Sequence, residues 1–167
     1  YAALITYLFA SVFVITDYLT KQYGWWGKFF CSFGVRDQLQ RSVVRIVGGY
    51  SEGSGFFISD REILTNFHVI ADEPSPKIIF PNGNFETPTK IVGNTDADLA
   101  VLSTTFSYPW AVLPLPDTIF FQEEEPLLSA GYPLGTELSG KATVVRGHFV
   151  ETRRPKRAPV GYVQTDI

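Results

Sequence analysis

Gly53-Ser54-Gly55-Phe56-Phe57-Ile58-Ser59, followed by Ile63-Leu64-Thr65-Asn66-Phe67-His68-Val69-Ile70, decides how this chain folds. Two glycines introduce the apolar run Phe56 to Ile58, Asp60 to Glu62 form a polar turn, and Ile63-Leu64-Thr65 is a second run. Two short apolar runs separated by such a turn read as a β-hairpin. His68 therefore sits at the exit of a buried strand. An imidazole titrates nearest physiological pH, so one fixed on a rigid element suits general-base work. A lone histidine between Phe67 and Val69 is nevertheless more often a hydrogen-bonded structural residue, and a catalytic reading needs a partner.

Asn94-Thr95-Asp96-Ala97-Asp98-Leu99-Ala100-Val101-Leu102 supplies one, placing a carboxylate immediately before a strand that reads as buried. A base that works in one tautomer requires a buried acceptor on its other ring nitrogen, which holds the ring and stabilises the imidazolium. Asp98 suits that role because it abuts the apolar run, and Asp96 competes from the same turn. Either could equally be a turn residue at a strand start.

Outward from this pair the chain reads as short strands at regular spacing, an all-β pattern. Val43 to Val47 is the first, entered through a linker over 29–40 that turns polar from Arg36. Lys77 to Phe80 and Thr89 to Val92 flank the turn Pro81-Asn82-Gly83-Asn84, whose Asn-Gly is a hairpin signal. Pro109 to Pro116 holds three prolines and cannot be an interior strand throughout, which suits a crossing between two barrels. Leu127 to Ala130, Lys141 to Val150 and Gly161 to Thr165 then begin a second barrel.

The N-terminal run differs in kind. Tyr1 to Thr16 carries no charged residue, and Tyr18, Lys21, Tyr23, Trp25, Trp26 and Lys28 follow as an aromatic and basic belt of the sort found at membrane interfaces. A retained transmembrane helix over 1–28 is expected rather than a removed signal peptide, since no small-residue cleavage site follows the run. An apolar hairpin, or a second membrane segment including Phe29 to Phe33, is the alternative.

Five motifs in order carry a family resemblance: Gly53 to Ser59, Ile63 to Val69, Asp98 to Leu102, Ser129-Ala130-Gly131-Tyr132-Pro133-Leu134-Gly135 with Thr143 to Gly147, and Tyr162-Val163-Gln164-Thr165-Asp166. They resemble the HtrA/Deg group of trypsin-fold serine proteases over about residues 41–167. The resemblance implies a trypsin-like double β-barrel, with a first barrel over about 41–112 and an incomplete second over about 118–167. It implies a serine endopeptidase in which His68 is the base and Asp98 orients it. The family's nucleophile loop would follow Asp166, so the serine is expected beyond Ile167 and the chain is expected to be a fragment. A catalytically inactive peptide-binding module at a membrane is the competing reading. Polypeptide substrates, unfolded proteins among them, a homo-trimer, and a single-pass membrane location with the protease domain outside the cytoplasm complete what the resemblance and the apolar run imply.

Composition agrees with a globular unit: 45% apolar, 15% aromatic and 19% charged residues, with a formal charge of −3. That balance excludes a nucleic-acid binder. Cys31 alone excludes an internal disulfide and reads as a small hydrophobe. Two distant histidines and no clustered cysteines imply no metal site, and no cofactor is expected. Glu151 to Arg157, rich in cations, reads as a solvated hairpin tip, His148 as a strand side chain, and Glu123 to Glu125 as a turn.

Overall fold

Strand β1, Val43–Val47, turns Val44 and Ile46 inward, both fully buried, because side chains alternate across a strand with a period of two. The same alternation buries Phe57 on β2 (Glu52–Ser59), Ile63 on β3 (Glu62–Thr65), Ile78 on β4 (Lys77–Ile79), and Ala100 and Leu102 on β7 (Leu99–Ser103). With Val69, Ile70, Phe80 and Ala111 they form one apolar cluster. Each large side chain fully buried there contributes about 1.5–3 kcal/mol.

The structure, a computed structural model, describes residues 2–23, 26–133, 140–154 and 161–167, with only some of the side chains in the N-terminal helices. Seven antiparallel strands, including β5 (Phe85–Glu86) and β6 (Lys90–Asn94), form one sheet in the order β5-β4-β1-β2-β3-β7-β6. The hairpin read from the sequence is present, with Phe56 opposite Leu64 and Phe57 opposite Ile63.

One pairing differs from expectation. The Asn82-Gly83 turn returns the chain only through two-residue β5, which pairs with β4, whereas Lys90–Asn94 pairs with β7 at the opposite edge. Pro88 lies between β5 and β6; it lacks a ladder donor and interrupts what would have been one strand.

Three strands, β8 (Pro126–Gly131), β9 (Thr143–Arg153) and β10 (Tyr162–Thr165), make a second antiparallel sheet in the order β10-β9-β8. The proline-rich crossing reaches it through a 3₁₀ turn at Pro109–Ala111, held to the first sheet where Leu113 N–H donates to the Phe57 carbonyl at 2.9 Å. Phe121 stacks on buried Phe149 at a centroid distance of 4.9 Å. Strand β8 packs against β1 and β2. There Ser54 Oγ accepts the Tyr132 backbone N–H at 2.7 Å, and a Cβ on Gly131 would stand 3.1 Å from the same oxygen.

Two helices precede the sheets, α1 (Ala2–Tyr23) and α2 (Trp26–Ser42). By contact the chain divides into residues Tyr1–Asp37 and Gln38–Ile167. The span 29–40, expected as a linker, is helical as part of α2. The linker reading rested on the polar residues from Arg36 onward, and polarity alone does not stop a helix; Gly27 and Gly34, which each weaken a helix by about 1 kcal/mol, are accommodated within it. A helix does form over the apolar run, but Asp17 and Lys21 fall inside it. Among the described residues no helix is long and apolar enough to cross a membrane, so the expected transmembrane helix is not supported by the fold. The side chains of the aromatic and basic belt and of Cys31, together with Leu134, Gly135 and the tip of the basic loop at Pro155 to Arg157, lie outside the described residues.

Candidate active site

Strand β3 ends at Thr65, and the chain turns at once into a single 3₁₀ turn, Phe67–Val69, that carries His68. What seats that turn is clearance. A Cβ on Gly53 would come within 2.6 Å of Val69 Cγ2, one on Gly93 within 2.5 Å of two Phe67 ring carbons, and one on Gly48 would strike the Val69 carbonyl oxygen. Real Cβ atoms do not approach so closely, so glycines on β2, on β6 and just after β1 leave room for the turn. Val69 is buried while His68 projects outward.

Asp98 arrives from the far side, in the tight turn between β6 and β7. Its φ of 51° is left-handed, a region that most side chains avoid and that Asp and Asn tolerate. The carbonyl oxygen accepts Phe67 N–H at 3.2 Å and the Asn66 side-chain amide at 3.1 Å. Carboxylate Oδ1 accepts His68 N–H at 2.9 Å, and Oδ2 lies 2.7 Å from His68 Nδ1 and 3.3 Å from Asn66 Nδ2. The backbone N–H of His68, then its ring, and further the Asn66 amide hold the Asp98 carboxyl below its usual range, so the anion is favoured.

An ionised Asp98 accepts a hydrogen bond from Nδ1–H, which keeps that proton on Nδ1 and leaves the Nε2 lone pair free to take one. The pair can therefore act as a base whose conjugate acid is stabilised where it forms. His68 and Asp98, named from the sequence, are brought together; Asp96 is exposed and not bonded to His68. Asp98 is not the buried acceptor the sequence suggested, since its side chain is 45% exposed and that of His68 is 68% exposed. Asn66 was missed. Its only signal is position, a turn residue two before the histidine, and its role depends on an approach by Asp98 that no local pattern encodes.

The antiparallel strands, and the histidine turn and aspartate turn they set against each other, agree with a trypsin-like fold. The family described as Trypsin-like peptidase domain matches residues 53–167, and the chain belongs to it. It is HtrA/Deg-like within that fold. It is 31% identical over 123 residues to "Serine protease Do-like HtrA" of Lactobacillus helveticus, covering 71% of this chain and 29% of that protein. It is 28% identical to "Serine protease HTRA2, mitochondrial" of Bos taurus, covering 70% of this chain and 26% of that protein. Among solved structures, the serine endoprotease from Yersinia pestis aligns with a TM-score of 0.57 at 27% identity, covering 70% of this chain and 44% of that one. An HtrA-type protease, AlgW with tripeptide, aligns with a TM-score of 0.62 at 22% identity over 74% of this chain and 40% of that one, a likeness of fold. The chain thus spans under a third of the length of these curated relatives.

Proposed function

We propose that this chain carries the base half of a serine endopeptidase, with His68 as general base and Asp98 as its orienting carboxylate. The observation that carries the reading is the 2.7 Å separation of His68 Nδ1 from Asp98 Oδ2. A serine that follows Ile167 in the full-length protein attacks the scissile carbonyl of a polypeptide as Nε2 of His68 takes its proton. The imidazolium, stabilised by Asp98, then returns that proton to the leaving amine, and water hydrolyses the acyl-enzyme by the same route in reverse.

The test is Asp98→Asn in the full-length protein. Asn tolerates the left-handed backbone but cannot hold the ring in the working tautomer, so kcat on an unfolded protein substrate should fall by about 10⁴. Cleavage at the wild-type rate would remove the assignment. Asp96→Ala should leave kcat within about twofold, as expected for a surface residue outside the pair.

Attachment to a membrane through residues 1–23 belongs to the same proposal. Its support is the uncharged run Tyr1 to Thr16 and the apolar side chains Tyr7, Phe9, Phe13 and Val14 that the helix leaves exposed. Burying such side chains in lipid is favourable, at roughly 25 cal/mol per Å² of apolar surface. Full-length protein recovered in the supernatant after an alkaline carbonate wash of membranes would count against it.

A further inference from the structure

Strands β9 and β10 pair regularly from Tyr162 opposite Arg153 to Gln164 opposite Glu151, and the register then slips so that Thr165 faces Phe149. Such a slip leaves one residue unpaired and bends the strand. Just beyond it the ladder changes partner. The backbone N–H of His148 donates to Asp166 Oδ1, His148 Nδ1 lies 3.1 Å from Asp166 Oδ2, and Asp166 N–H donates to the His148 carbonyl at 3.3 Å. A Cβ on Gly147 would stand 2.5 Å from Asp166 Oδ1 and would overlap the Ile167 side chain.

One carboxylate therefore grips both the main-chain N–H and ring Nδ1 of one histidine, the same bidentate grip that Asp98 has on His68. Both side chains of the second pair are 51% exposed. Exposed side-chain pairs of this kind contribute little to stability, so global stability does not explain the arrangement. Direction does. Main chain, imidazole and a glycine clearance together fix where Asp166 sits and thus the heading of Ile167.

We propose that His148 is a positioning residue for proteolysis: through Asp166, and with room made by Gly147, it sets the direction in which the chain leaves β10 toward the segment that carries the nucleophile. This rests on the serine endopeptidase reading. His148 touches no substrate in this role. Its effect reaches the reaction only through the bond to Asp166, so any side chain that donates to Oδ2 from the same place should serve.

The experiment measures the rate at which a fluorophosphonate probe labels the full-length protein near neutral pH, together with kcat and KM on a peptide. His148→Phe keeps an aromatic strand residue and removes the donor; His148→Asn keeps an amide donor. The Phe variant should label at least about tenfold more slowly, approaching the about 10²-fold that a 1 Å misplacement costs, with kcat reduced, KM little changed and the melting temperature retained. The Asn variant should recover most of the rate. Wild-type labelling in His148→Phe overturns the proposal, and so does equal loss in both variants, because the loss would then not pass through the bond to Asp166. A wild-type protein that the probe does not label would instead sink the endopeptidase reading. In that case amide exchange decides the positioning role: faster exchange at Asp166 and Ile167 in His148→Phe than in wild type supports it, and equal exchange overturns it.

Discussion

Asp98 does three things with few atoms: it turns the chain at φ 51°, receives the turn that bears His68, and meets the imidazole. The carboxyl is held below its usual range by the hydrogen bonds from His68. An acid whose folded pKa is depressed stabilises the fold fully above its unfolded value, about 3.9 for Asp, and that stabilisation is lost as pH falls through the lower folded value. The difference in melting temperature between wild type and Asp98→Asn should therefore shrink as pH drops below the ordinary Asp range. A difference that failed to shrink below that range would contradict the hydrogen-bonding account. Asp166 titrates in the same direction, so the comparison must be made against wild type with Asp166 intact.

At the scale of elements, the hairpin of β2 and β3, the strand after Asp98 and the three strands of the second sheet were legible, because period-two burial and turn residues are local signals. The helix α2 and the pairing of β6 with β7 were not. The first carries two glycines and little amphipathic pattern, and the second is a long-range choice that Pro88 permits but does not dictate. The candidate pair was legible as two residue types in two motifs, while Asn66 and the bond from His148 to Asp166 depend on approaches between distant segments. Two substitutions test how elements hold one another. Ser54→Ala leaves the Tyr132 N–H without its partner at the junction of the sheets, and should lower unfolding free energy by about 1–3 kcal/mol in a denaturant titration. Ser54→Thr, which keeps the oxygen, should retain more of it. Gly48→Ala drives a methyl into the Val69 carbonyl, a backbone atom that cannot yield cheaply, and should lower it by about 1–3 kcal/mol, the usual range for overpacking.

For the whole molecule, the core lies within residues Gln38–Ile167, the larger of the two units. A chain beginning at Gln38 keeps the Gln40 amide on the Ala142 carbonyl and buried Ser42 on the Gln38 carbonyl. It should unfold in one cooperative transition with the near-ultraviolet dichroism of packed aromatics, since Phe57, Phe80 and Tyr108 stack within it at 4.8–6.3 Å. Broad, non-cooperative melting would mean that residues 1–37 supply part of that core.

The histidine turn stands where it does because Gly48, Gly53 and Gly93 leave space for it. In a saturation survey of every codon scored only by survival of activity, these three columns would be as blank as those the proposed mechanism assigns to His68 and Asp98, although none of the three carries a side chain able to exchange a proton. Ranking such data by intolerance alone would enrol them as chemical participants. Scoring protein abundance alongside turnover would separate the scaffold's empty spaces from the atoms that react.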